Sequence, residues 1–84
     1  PIGFNVFPNP TKGEITVQYP MNGEENVYFR VVDVLGRTVG DTRLDPTLTS
    51  QIIHLGNHAT GTYYYRFLVN GTQKATGKLI LVNE

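Results

Sequence analysis

Cysteine is absent from this 84-residue chain. That removes disulfides, zinc–thiolate sites, iron–sulfur clusters and cysteine nucleophiles from consideration. It leaves the compartment open, because a cytosolic protein and an extracellular one that avoids thiols both look this way. Ser50 is the only serine and no Gly-x-Ser-x-Gly surrounds it, which removes the usual acyl-transfer elbow. Charge is sparse and balanced. Seven basic and seven acidic residues are spread along the chain, without a basic stripe to meet nucleic acid or an anionic membrane surface. No apolar run reaches the length of a membrane span, so direct membrane insertion is not expected, and there is no signal-peptide pattern. Internal repeats, low-complexity tracts and a phosphate-cradling loop are also missing. The chain starts at Pro1 and not at methionine, so we expect it to have been cut from a longer protein.

What is present is a succession of short strands. Tyr63-Tyr64-Tyr65-Arg66-Phe67-Leu68-Val69, then Asn70-Gly71, then a run ending Lys78-Leu79-Ile80-Leu81-Val82 is a strong hairpin signal. A loop of Asn70-Gly71 alone sets Phe67 opposite Lys74 and Tyr63 opposite Lys78. A longer loop, Val69-Asn70-Gly71 with Gly71 left-handed, shifts the pairing by one. Tyr63, Tyr65 and Phe67 then share a face with Ala75, Gly77, Leu79 and Leu81. Because a one-residue slip moves every side chain to the other face, the core must select one register. We choose the second, which makes a single apolar face.

The rest of the chain supplies the cover. Gly3 to Phe7 is a short apolar strand stopped at Pro8. Pro8-Asn9-Pro10-Thr11-Lys12-Gly13 is dense in breakers, with Gly13 expected at positive φ. Ile15, Val17 and Tyr19 alternate with polar residues, the period-two mark of a half-buried strand, and Pro20 ends it. Met21 to Asn26 reads as a polar loop. Val27, Phe29 and Val31 belong to a long strand whose second face is also largely apolar, so it should be central. Asp33-Val34-Leu35-Gly36-Arg37 makes a turn in which Asp33 bonds nearby N–H groups and Arg37 pairs with it. Thr38 to Leu44 is a weaker strand whose Asp41 and Arg43 suit a sheet edge. Asp45 to Thr49 is loop, and Ser50 to Leu55 is a short strand. Gly56 to Gly61 is a corner with room for one tight helical turn, and Gly61-Thr62-Tyr63 is placed to form a tyrosine corner. A single domain follows, all-β, an Ig-like antiparallel β-sandwich of about seven strands. A chain this short buries only about 60% of its unfolded surface. Its stability should be about 4–13 kcal/mol.

Residue chemistry alone offers no active site, metal or cofactor. His54 and His58 have a spacing that suits a metal on a helix, but Gly56 lies between them in a β context, so surface and turn roles are expected. Asp33, Asp41 and Asp45 match no calcium loop. Asn70-Gly71-Thr72 fits a glycosylation acceptor, yet the turn already explains it. A sugar platform of Tyr28, Tyr63, Tyr64 and Tyr65 fails by alternation, which leaves Tyr64 and one cross-strand neighbour exposed together.

Three blocks, in order, carry a resemblance. Phe7-Pro8-Asn9-Pro10-Thr11-Lys12-Gly13 comes first and Val32-Asp33-Val34-Leu35-Gly36-Arg37 second. The third is Thr60-Gly61-Thr62-Tyr63-Tyr64, with Asn70-Gly71 and Lys78-Leu79-Ile80-Leu81 following. Over nearly its whole length the chain resembles the C-terminal sorting domain, type A, of the type IX (Por) secretion system of gram-negative bacteria. The resemblance implies an Ig-like sandwich that is not an enzyme. It implies a secretion signal that carries its cargo through the periplasm and across the outer membrane to the cell surface or beyond. It also implies partners: an outer-membrane translocon, a shuttle protein and a sortase-like cysteine peptidase. The peptidase would remove the domain upstream of Phe4 and link the cargo to anionic lipopolysaccharide. The family pattern falls on Pro8, Asn9, Pro10, Gly13, Asp33, Gly36, Arg37, Gly61 and Tyr63, mainly as structural residues.

Lys78, Leu79, Ile80, Leu81 and Val82 are the expected recognition strand. Lys78 would be its exposed handle, and an edge position would offer unpaired backbone groups to a receptor. Many members end on a basic residue where this chain ends Val82-Asn83-Glu84. The competing reading is an Ig- or fibronectin-like accessory module binding carbohydrate or protein, with Tyr64 at its contact. A monomer, or a weak strand-exchanged dimer through the terminal strand, is the expected state.

Overall fold

The structure is a computed structural model that describes residues 3–20, 26–56 and 58–82. Residues 21–25 of the expected polar loop, Asn57 of the corner, and both chain ends (residues 1–2 and 83–84) lie outside the described residues.

Seven strands form: β1 (Asn5–Phe7), β2 (Glu14–Gln18), β3 (Val27–Val32), β4 (Thr38–Leu44), β5 (Ser50–His54), β6 (Gly61–Val69) and β7 (Thr72–Leu81). They make two antiparallel sheets, ordered β1-β2-β5 and β4-β3-β6-β7. The expected β-sandwich is what the chain adopts. In the constant-type immunoglobulin sandwich the fourth strand joins the sheet of the first, second and fifth. Here β4 pairs with β3 instead, with Tyr28 opposite Arg43 and Arg30 opposite Asp41. The first strand is shorter than the sequence suggests, and no helical turn occurs among the described corner residues. β3 lies centrally between β4 and β6, and β4 lies at an edge, as read from the sequence.

Alternation drives burial. Ile15, Val17 and Tyr19 are fully buried from one face of the three-stranded sheet. Val27, Phe29, Val31, Phe67, Leu79 and Leu81 close on them from the other. Phe67 is the aromatic hub, with its ring 4.7 Å from Phe4, 5.0 Å from Phe29 and 5.8 Å from Tyr65. The apolar second face of β3 shows at Val32, which is buried on the outer side opposite Tyr64.

The β6–β7 hairpin takes the expected faces by a different device. Tyr63 pairs with Leu79, Tyr65 with Gly77 and Phe67 with Ala75. The loop, however, is the tight Asn70-Gly71 turn, with both residues left-handed (φ 51° and 84°) and Val69 opposite Thr72. That turn alone would put the apolar residues of β7 on the wrong face. A bulge absorbs one residue where the pairing passes from Leu68–Gln73 to Phe67–Ala75, leaving Lys74 as the extra one. Asn-Gly keeps its preferred turn and the core keeps its register. The tip is also tied across the sheet: Asn70 N–H donates to Asn26 O (2.8 Å), and Asn26 N–H donates to Asn70 Oδ1 (2.9 Å). Further along, the Tyr65 ring covers Gly77 so closely that a Cβ there would sit 2.5 Å from Tyr65 Cζ.

Two buried tyrosines use their hydroxyls. Tyr63 O–H donates to Ala59 O (2.5 Å), which is the expected tyrosine corner. Tyr19 O–H donates to Asp45 O (3.0 Å). Burial, with the Asp45 charge adding to it, pushes the Tyr19 phenol above its ordinary value, so it remains a donor.

Candidate functional site

The expected recognition strand, Lys78 to Val82, is the end of β7 with the residue that follows it, at the edge of the four-stranded sheet. Alternation divides its side chains. Leu79 and Leu81 are buried in the core, Lys78 is exposed, and Ile80 and Val82 are half-buried.

The edge backbone of this stretch is not free, which corrects the expectation of unpaired groups. Asn9 Nδ2 donates to Lys78 O (2.7 Å), and Ile80 N–H donates to Asn9 Oδ1 (2.9 Å). Thr11 N–H then donates to Ile80 O (2.9 Å), and Val82 N–H donates to Thr11 O (2.8 Å). Thr11 and Leu81 form a parallel bridge. Four outward-pointing groups of the terminal strand are therefore occupied by the Pro8–Thr11 segment, which acts as a latch on the edge. The sequence explains the mixed bonding. Prolines have no N–H, so Pro8 and Pro10 cannot pair as strand residues. The Asn9 side-chain amide, a donor and an acceptor like a peptide group, pairs in their place. Both prolines follow cis peptide bonds. Backbone pairing resumes at Thr11, which is buried and locked from behind: its hydroxyl donates to Glu14 O (2.7 Å) and accepts Gly13 N–H (3.1 Å). Gly13 takes the expected positive φ, at 128°. Thr11 is absent from the residues read as functional; its signal is a lone hydroxyl just beyond two prolines.

The second block forms the turn between β3 and β4 as expected. Asp33 Oδ1 accepts the N–H groups of Leu35 (2.9 Å) and Arg37 (2.9 Å), and Asp33 Oδ2 accepts Arg37 Nε–H (2.8 Å). Gly36 is left-handed at φ 84°. The Arg37 backbone N–H, then the Arg37 side chain and the Leu35 N–H, hold the Asp33 carboxyl below its ordinary value. A depressed carboxylate stabilises the fold above the unfolded-state value, and that contribution disappears as pH falls through the folded value. Asp33→Asn should therefore be less stable than the parent at neutral pH. The gap should close below about pH 4, as followed by urea unfolding across a pH series.

The third block supplies Gly61, opposite Leu81, and Tyr63, opposite Leu79. Val32 pairs with Tyr64, which pairs with Lys78, so the Asp33 turn leaves the sheet at the end where the latch sits. The first two motifs thus meet residues 61–64 and 78–81 of the third at one end of the sheet, while Asn70-Gly71 turns at the opposite end, where Val27 pairs with Val69.

The remaining candidates are spread out. His54 Nδ1 lies 3.7 Å from Glu14 Oε2 across the β2–β5 pair, and the His58 ring lies against Tyr63. Among the described residues no group of His, Asp and Glu is placed to hold a metal ion. Tyr64 is exposed with Lys78 opposite, but the other exposed tyrosine, Tyr28, is paired with Leu68. Four residues of β3 rise separate those positions, about 13 Å, so the two rings form no shared stacking platform.

Among curated proteins and among solved structures, none matches the chain. A family model described as the secretion system C-terminal sorting domain matches residues 5–83, a span containing all three motifs and the latched terminal strand. The chain therefore belongs to the family of secretion-system C-terminal sorting domains and serves as a sorting signal of type IX secretion, directing export to the cell surface or beyond.

Proposed function

We propose that the domain is an address read in the periplasm by three components, an outer-membrane translocon, a shuttle protein and a sortase-like peptidase. The cargo is the protein N-terminal to it, cut free upstream of Phe4 and anchored at the surface on anionic lipopolysaccharide. The domain itself catalyses nothing in this reading. The observation that carries the proposal is the family match over residues 5–83. Within the site, Leu79 and Leu81 contribute through the core, whereas Lys78, Ile80 and Val82 have side chains that a receptor can touch. With the β7 edge held by Asn9 and Thr11, strand exchange needs the latch to open, so the proposed state is a monomer.

Fusing residues 1–84 to a periplasmic reporter in a host with the type IX machinery should bring the reporter to the cell surface. The unfused reporter should stay in the periplasm. A folded fusion retained in the periplasm would falsify the reading. Truncation at Lys78 is a poor variant here, because it removes Leu79 and Leu81 from the core and so confounds recognition with folding.

A further inference from the structure

The charge of the chain is balanced overall but not on every face. Strand register places Arg30, Arg43, Arg66 and Lys78 on the solvent side of the four-stranded sheet, with Asp41 the one carboxylate of the strands on that side. Asp41 is taken by Arg30 at 3.0 Å. The Arg43 guanidinium bonds a neutral group, Asn26 Oδ1, at 2.8 Å. Among the described residues, Arg66 and Lys78 have no ion-pair partner. Arg66 stands directly opposite Arg30 across the β3–β6 pair, and like charges so placed repel. The same face carries Tyr64, exposed and opposite Lys78. The edge of the neighbouring strand is closed to strand addition over Lys78–Val82 by Asn9 and Thr11.

Resting on the sorting-signal reading, we propose that this sheet face, centred on Arg66 and Lys78, is the surface that docks onto an acidic patch of a protein of the export machinery. A guanidinium meets a carboxylate through two parallel hydrogen bonds, and an incoming carboxylate gives Arg66 the counter-charge that Asp41 already gives Arg30. A protein partner is favoured over a saccharide because Tyr28 and Tyr64 are too far apart to stack on one sugar. The face covers about 15 Å across four strands and about 17 Å along them. That area suits a transient, salt-sensitive contact, as an address that must be released requires.

Two pairs of substitutions in the reporter fusion test this with the net charge change matched. Arg66→Gln with Lys78→Gln should lower surface display at least tenfold. Thr16→Glu with Gln18→Glu, on the outer side of the other sheet, should leave display near the parent level, and thermal melts should confirm that both proteins fold. Equal display by the two pairs, whether both normal or both lowered, overturns the docking face and leaves the sorting reading intact. Failure of the unsubstituted fusion removes both. In parallel, the purified chain is titrated with poly-L-glutamate and with polygalacturonate. Binding to poly-L-glutamate should be the tighter, weaken at least tenfold in high salt, and be lost in the Arg66→Gln, Lys78→Gln protein. Tighter binding to polygalacturonate would assign the face to an anionic saccharide and overturn the proposal.

Discussion

Phe67→Ala is expected to cost about 3–5 kcal/mol of folding free energy. Phe67 is fully buried and its ring meets Phe4, Phe29 and Tyr65. Truncation removes a side chain that ties the N-terminal segment and the central strand β3 to the hairpin strand β6. Phe29 and Tyr65 are held in the four-stranded sheet by backbone pairing, so their rings cannot close the void without moving strands. For a domain of about 4–13 kcal/mol, such a loss removes about a quarter or more of the folding free energy at the upper end and nearly all of it at the lower. Urea unfolding of the variant measures it. Leu35→Ala is the control: Leu35 is 74% exposed at the tip of the Asp33 turn, so its loss should change stability by less than about 0.5 kcal/mol. A Phe67→Ala cost below about 1 kcal/mol would mean that the sandwich does not close on this aromatic cluster.

Asn9→Ala should strip the latch from half of the edge it covers. Ile80 N–H loses its acceptor and Lys78 O its donor. Each such bond contributes about 0.5–1.5 kcal/mol, so opening at this edge should become about 5- to 150-fold more favourable. Native-state hydrogen exchange reads this residue by residue. The Ile80 amide should lose protection, and Val82, held by Thr11, should follow part of the way. Amides in the β3–β6 ladder should be unaffected, because those pairs lie one strand further in. Unchanged exchange at Ile80 would show that Asn9 is not holding the edge in solution.

The features legible in the sequence were those that local chemistry decides. The Asp33 turn is one: its carboxylate, the left-handed Gly36 and the Arg37 partner all lie within five residues. The tyrosine corner is another, with donor and acceptor four residues apart. The faces of β6 and β7 were legible because only one parity makes a continuous apolar surface. How that parity is reached was not, since it depends on a compromise. The Asn70-Gly71 preference for a tight turn and the demand of the core for Leu79 and Leu81 are both met only by adding a bulge. The latch was hidden for a different reason. Asn9 and Ile80 are 71 positions apart, and nothing near Asn9 announces that its amide will stand in for a strand. Arg66 was overlooked because its significance comes from Arg30 opposite, and which strands lie side by side is a matter of sheet order. The same unknown made β4 hard to place, since its sequence says only that it is an edge strand.

The direction in which Asn9–Thr11 runs against β7 has a mechanical consequence. The two segments are parallel, so traction applied before Phe4 and after Val82 slides them past each other lengthwise. The bonds at Lys78, Ile80 and Val82 then bear the tension side by side and must rupture together. A force directed across the strands would unzip the same bonds singly. Hauled by its ends, this small sandwich resists most along its own seam.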